Sequence, residues 1–193
     1  MYYNILLQRF IQILFNPAKA WDSISSEKRT IKDTRNKFLL PLAAFVAVSA
    51  MAGSYFLANK QLSFIYSLLE GLKYFILLLA VVYSSAVILK EMTYALDLGR
   101  DFSVAFKLIV YALTPLYVCL VVSCLFESMI FVVILALYGL LIFWEGVIKM
   151  LNPPDHKKMP LLIATAITVT GLYISFSMVL NLVIDRVFYA FFA

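Results

Sequence analysis

Charge is scarce in this chain of 193 residues: Lys, Arg, Asp and Glu together make up 14%, against about a quarter in soluble domains. Disorder is excluded at once, because it requires high charge and low hydrophobicity. Thiols and imidazoles are nearly absent, with two cysteines and one histidine. Cys119 and Cys124, five positions apart, stand about 140° apart around a helix. They form no disulfide framework or metal cluster and read as small apolar packing residues. His156 has Asp155 beside it but no second histidine or thiol close in sequence, so it reads as a solvated loop residue. The sequence holds no HExxH, GxSxG or glycine-rich phosphate loop and shows no evident nucleophile–base pair. It is expected not to be an enzyme and to use no cofactor or metal.

What fills the chain instead is apolar: 64% of residues are hydrophobic and the mean hydropathy is +0.94. A single soluble core of this size has too little interior for that content, so lipid must be the solvent. A helix crosses the hydrocarbon with about 20 mostly apolar residues. Windows bounded by charge give five: 38–59 after Lys37, 66–89 ending at Lys90, 108–126 between Lys107 and Glu127, 128–147, and 159–184 before Asp185. The expected fold is therefore all-α, a polytopic bundle of five transmembrane helices. Residues 1–37 form a cytoplasmic segment and residues 38–193 the membrane domain.

The N-terminal 15 residues carry too many polar interruptions to span. Asn4, Gln8, Gln12 and Asn16 recur every four residues, opposite Leu6, Leu7, Phe10, Ile13 and Leu14. That is the period of an amphipathic helix lying in the interface plane. Asn16-Pro17 reads as an N-cap followed by proline at the first helical position, opening a short helix through Ala20, Trp21 and Ile24.

The net charge of +5 has to be read by position, and no nucleic-acid partner is expected. The segment to Lys37, the loop 90–107 and the loop 149–158 hold 13 Lys and Arg, against three on the opposite side. The positive-inside rule then places the N-terminus in the cytoplasm and the C-terminus outside. Two charge pairs flank the spans: Glu70 with Lys73 at i, i+3, and Glu145 with Lys149 at i, i+4. Both are expected to pair at the interface, their stems snorkelling. No acidic residue falls in the middle of a span, which argues against proton-coupled transport. Pro115, inside Tyr111-Ala112-Leu113-Thr114-Pro115, removes a backbone hydrogen bond and is expected to kink the third span. Small residues permit close helix approach: Ala43, Ala47, Ser49 and Gly53 in the first span, Gly139 and Gly146 in the fourth, and Gly171 and Ser175 in the fifth.

A short N-terminal helix, then Asn16-Pro17-Ala18-Lys19-Ala20-Trp21-Asp22-Ser23-Ile24, then five spans with the N-terminus inside, resembles the bacterial branch of the Yip family of Ypt/Rab-interacting membrane proteins. Tyr111, Thr114 and Pro115, with Leu137-Tyr138-Gly139 through Gly146, are similar to its third and fourth spans. The resemblance implies an integral protein of the bacterial inner membrane, an adaptor or membrane-organising factor. Trp21, Tyr111, Thr114, Pro115, Tyr138, Gly139 and Gly146 are its candidate structural and interaction residues. Eukaryotic members act in vesicle traffic and carry an aspartate-leucine-tyrosine-glycine-proline signature. This chain lacks that signature, so GTPase binding is not carried over. The expected partners are the bilayer itself, anionic headgroups at the cytoplasmic face, and a membrane protein or second copy. The alternative is a small transporter or channel subunit built around the kinked third span.

Overall fold

A computed structural model describes residues 2–27, 30–57, 64–126, 132 and 134–192; side chains are described from Leu7 onward, except at 57, 189, 191 and 192. Among the described residues the chain is helical throughout, with no strand. Helices α1 (Tyr2–Phe15) and α2 (Pro17–Ser26) form the N-terminal segment. Next, α3 (Ile31–Thr34), a π-helical stretch (Arg35–Leu39), α4 (Leu40–Ala52) and a second π-helical stretch (Gly53–Leu57) follow without a break. The first π stretch has a cause in the sequence: Pro41 has no N–H to give, and just before it Leu40 donates five residues back, to Arg35. After these come α5 (Phe64–Ala95), α6 (Phe102–Ala112), α7 (Thr114–Leu125), α8 (Tyr138–Met150) and α9 (Asp155–Phe192).

Three of these helical runs are long and apolar enough to cross a membrane: Ile31–Phe56, Phe64–Ala95 and Asp155–Phe188. The pair α6 and α7, bent by 40° at Leu113, makes a fourth if it is one span. The 108–126 span expected from the sequence is therefore a broken helix. Of the expected span 128–147, residues 128–131 and 133 lie outside the described residues, and α8 has 13 residues, roughly 20 Å of helix. The last helix begins at Asp155 rather than Met159 and takes in His156, Lys157 and Lys158, so the expected loop 149–158 shortens and His156 lies, exposed, on the first turn of α9 and not in a loop.

The core joins both ends of the chain order. Trp21, Phe38, Leu78, Phe106, Tyr111, Ile142 and Leu161 belong to one buried cluster. By contrast, α9 is the outer helix: none of the residues in its most apolar stretch is buried, and Ile163, Ile167, Ile174 and Met178 face outward. This is the expected face of a helix solvated by lipid chains rather than water.

Three segments meet at one end of the bundle. Lys149 at the end of α8 pairs with Asp22 of α2 at 2.6 Å. Lys157 on the first turn of α9 donates to the carbonyl of Leu96 at 2.6 Å and lies 3.7 Å from Asp97. A cation there suits the unpaired carbonyls beyond a helix C-terminus. The opposite, distal end brings Gly53 against Cys124 and Tyr66 against Phe188, rings 5.1 Å apart.

Candidate functional site

The local sequence of α2 explains its placement. Proline stands at its first turn, and Asn16 caps it through backbone alone, with no side-chain cap hydrogen bond. Ala20, Trp21 and Ile24 make its buried face. Trp21 is fully buried, and its indole Nε1–H donates to the Ile142 carbonyl at 2.8 Å. Gly146, one turn further along α8, gives the ring its space: a Cβ there would lie 2.5 Å from Trp21 Cζ2. Tyr111 meets Trp21 edge-on at 5.8 Å and Phe38 at 4.8 Å, the offset geometry aromatic pairs prefer. Trp21, Tyr111 and Gly146, separated by up to 125 positions, are thus one contact that clamps the N-terminal segment onto the bundle.

The second half of the constellation is the kink. Pro115 cannot donate to the carbonyl of Tyr111, and the Thr114 hydroxyl donates to that carbonyl instead, at 2.7 Å. Thr114 is fully buried. Gly139 lies against the bend, where a Cβ would fall 2.5 Å from the Ala112 carbonyl oxygen and 3.9 Å from Pro115 Cδ. Tyr138 has a role with no mark in the sequence: its hydroxyl donates to the carbonyl of Leu14 at 2.9 Å, satisfying one of the last carbonyls of α1.

The N-terminal helix has one side against the bundle and one side open. Ile13 and Arg9 are buried against the rest of the protein, while Leu7, on the expected apolar face, is exposed together with Ile11 and Phe15. Arg9 is held by Glu27 at 2.6 Å and Ser23 at 3.1 Å, so α1 and α2 fold back on each other. An arginine is tolerated in that place because its charge is paired and its donors are used.

The flanking pairs divide. Glu70 and Lys73 form the expected ion pair, although Lys73 is buried rather than snorkelling into water, with its amine 4.9 Å above the Tyr74 ring. The expected Glu145–Lys149 pair is replaced by the Asp22–Lys149 bridge, because the docking of α2 brings a carboxylate within reach. The Asp22 carboxylate raises the Lys149 amine above its ordinary pKa, with Glu145 adding a smaller, longer-range attraction.

The small residues also divide. Gly53 and Gly71 touch neighbouring backbone, at Cys124 and Ala47 respectively, whereas Gly171 and Ser175 face outward and a Cβ on Gly171 would meet nothing within 4 Å. Gly71 was missed in the sequence, where its only mark is a small residue one position after Glu70. Lys107, taken as a span boundary, is buried.

A cavity of about 290 Å³ lies beside the kink, between α6, α7, α8 and α9. No group of three or more metal-ligating side chains is found among the described residues. A family model described as the Yip1 domain matches residues 11–178, the stretch that contains Trp21, the kink and α8. No curated protein and no solved structure matches the chain.

Proposed function

The chain belongs to the Yip1 family, and on that footing we propose a non-enzymatic integral membrane protein that serves as an adaptor or membrane-organising factor. Its working surface is the basic end of the bundle. The observation that carries this reading is the Trp21 clamp. It holds the N-terminal segment on α8, so that the exposed Lys19 and Lys32 are presented on a fixed frame, beside Lys37 and Lys149 in their ion pairs with Asp33 and Asp22. Their chemistry suits anionic lipid headgroups or an acidic face of a membrane-protein partner. The exposed stripe Leu7, Ile11 and Phe15, spaced by four, suits insertion of α1 into the headgroup boundary beside that frame.

The proposed topology is five crossings, with the N-terminus cytoplasmic and the C-terminus outside, in a bacterial inner membrane. Chain direction supports it. The bent pair α6–α7 runs from Lys107 to Cys124 beside Gly53, at the distal end, yet α8 ends with Lys149 beside Asp22 at the basic end. Cys124 and Lys149 thus stand at opposite ends of the bundle. The three segments rich in Lys and Arg share one end, as the positive-inside rule requires.

Two experiments test this reading. Reporters at the N-terminus and after Ala193 are expected on opposite sides of the membrane; the same side overturns five crossings. Photocrosslinkers at Lys32, Arg35 and Lys37 in intact cells are expected to capture an anionic lipid or a discrete membrane protein. Recovery of neither overturns the adaptor role.

A further inference from the structure

The cavity beside the kink has a composition that identifies its occupant. The bend at Leu113 turns α7 out of line with α6, and Gly139 offers no side chain to fill the angle. Leu113, Leu116, Phe143, Ala166 and Val169 supply most of its wall, and no charged residue lines it. Its polar side chains are Thr165, Thr170 and Tyr173, and the Thr165 hydroxyl is already spent on the Leu161 carbonyl at 2.7 Å. A wall of this kind gives water too few partners to stay and offers a charged or strongly polar ligand no compensation for desolvation.

Position and size narrow the choice further. Along α9, Thr165 and Tyr173 stand about 9 Å and about 21 Å from Met159 at 1.5 Å per residue, so the cavity occupies the middle of a hydrocarbon layer about 30 Å thick. The space beside the kink is about 290 Å³. A flexible chain one methylene wide fits it. Both walls contributed by α9 are thin, because the outer side of that helix is open: Ile163 and Ile167 are exposed.

We propose that this cavity is a binding site for one acyl chain of a membrane phospholipid, which enters from the surrounding bilayer and lies between the Pro115 bend, α8 and α9. The bound chain supplies the contacts that the kink withdraws from α9. No bond is made or broken.

The test uses the whole protein reconstituted in phosphatidylglycerol vesicles doped with a phospholipid bearing a diazirine at mid-chain. Photolysis and peptide mapping are expected to label Leu113, Leu116 and Phe143 in addition to the outward Ile163 and Ile167. Ala166→Phe, which fills the cavity from α9, is expected to lower labelling at Leu113 and Leu116 at least fivefold while leaving Ile167 unchanged. Ile167→Phe, on the outer face, is expected to change neither inner site. Val169→Phe provides a second filling variant should Ala166→Phe not fold. Inner labelling that survives filling, or that never exceeds background, overturns the proposal. So does a crosslink to a second copy of the chain from a photoreactive residue placed at position 116.

Discussion

Trp21 and Gly146 share one volume: the indole edge occupies the place where any side chain on Gly146 would begin, 2.5 Å from Cζ2 and 2.6 Å from Cε2. A fully buried aromatic with its N–H satisfied cannot yield without losing that hydrogen bond. Gly146→Ala is therefore expected to lower stability by about 1–3 kcal/mol, the usual cost of overpacking a filled core. Trp21→Phe is expected to cost about 1–3 kcal/mol, through the lost donor to Ile142 and lost packing. Thermal unfolding in detergent reads both. The ring of Phe is shorter where the clash occurs, so Gly146→Ala should cost less in the Trp21→Phe background. Strict additivity would show that the two residues are not in contact.

The Tyr111 carbonyl gives a second cycle. Pro115 removes its helical donor and Thr114 replaces it at 2.7 Å. Thr114→Val, nearly isosteric, leaves that buried carbonyl short of a donor and is expected to cost about 1–2 kcal/mol. Thr114→Ser keeps the hydroxyl and is expected to cost less. With Pro115→Ala the backbone N–H returns, and the Thr114→Val penalty should shrink. A penalty independent of residue 115 would mean that the hydroxyl serves something other than the bend.

These two cycles mark what was legible in the sequence. Apolar windows bounded by Lys37, Lys60, Lys90 and Asp185 announce three long helices, because lipid demands unbroken apolar length. Proline announces the bend, because its missing N–H is a local fact. The partner of Trp21 was not legible. It is a backbone carbonyl, Ile142, which carries no side-chain signature, and a glycine whose meaning is the absence of atoms. The Asp22–Lys149 bridge escaped for a related reason: helical spacing offered Glu145 first, and only the docking of α2 brings Asp22 nearer. The burial of Arg9 escaped because the residue is polar by type and is buried only once Glu27 and Ser23 hold it.

The bridge itself is exposed, with 38% of the Lys149 side chain and 58% of that of Asp22 accessible, so its contribution is small and screened by salt. Its pH dependence has a definite sign. Asp22 raises the folded-state pKa of Lys149, so the stabilisation is fully present below the ordinary lysine value and is lost as pH rises through the folded one. Asp22→Asn is expected to remove this alkaline dependence while leaving the neutral-pH unfolding temperature almost unchanged. A steep change near pH 7 would point to a different group.

Gly71 and Gly171 offer the sharpest contrast, since both are mid-helix glycines whose fates differ by what lies outside them. Replacing glycine by alanine in a helix gains about 0.8–1 kcal/mol of propensity, provided the methyl finds room. At Gly171 nothing stands within 4 Å, so Gly171→Ala is expected to raise the unfolding temperature in detergent. At Gly71 the methyl would come 2.8 Å from the Ala47 carbonyl oxygen and 3.2 Å from Met51 Cβ. The oxygen is backbone of the neighbouring long helix and cannot swing away, so separation of α4 from α5 has to follow. Gly71→Ala is therefore expected to lower the unfolding temperature despite the better propensity, and Gly71→Leu to lower it further. If Gly171→Ala proved equally damaging, the outer face of α9 would have to be packed against protein instead of lipid chains.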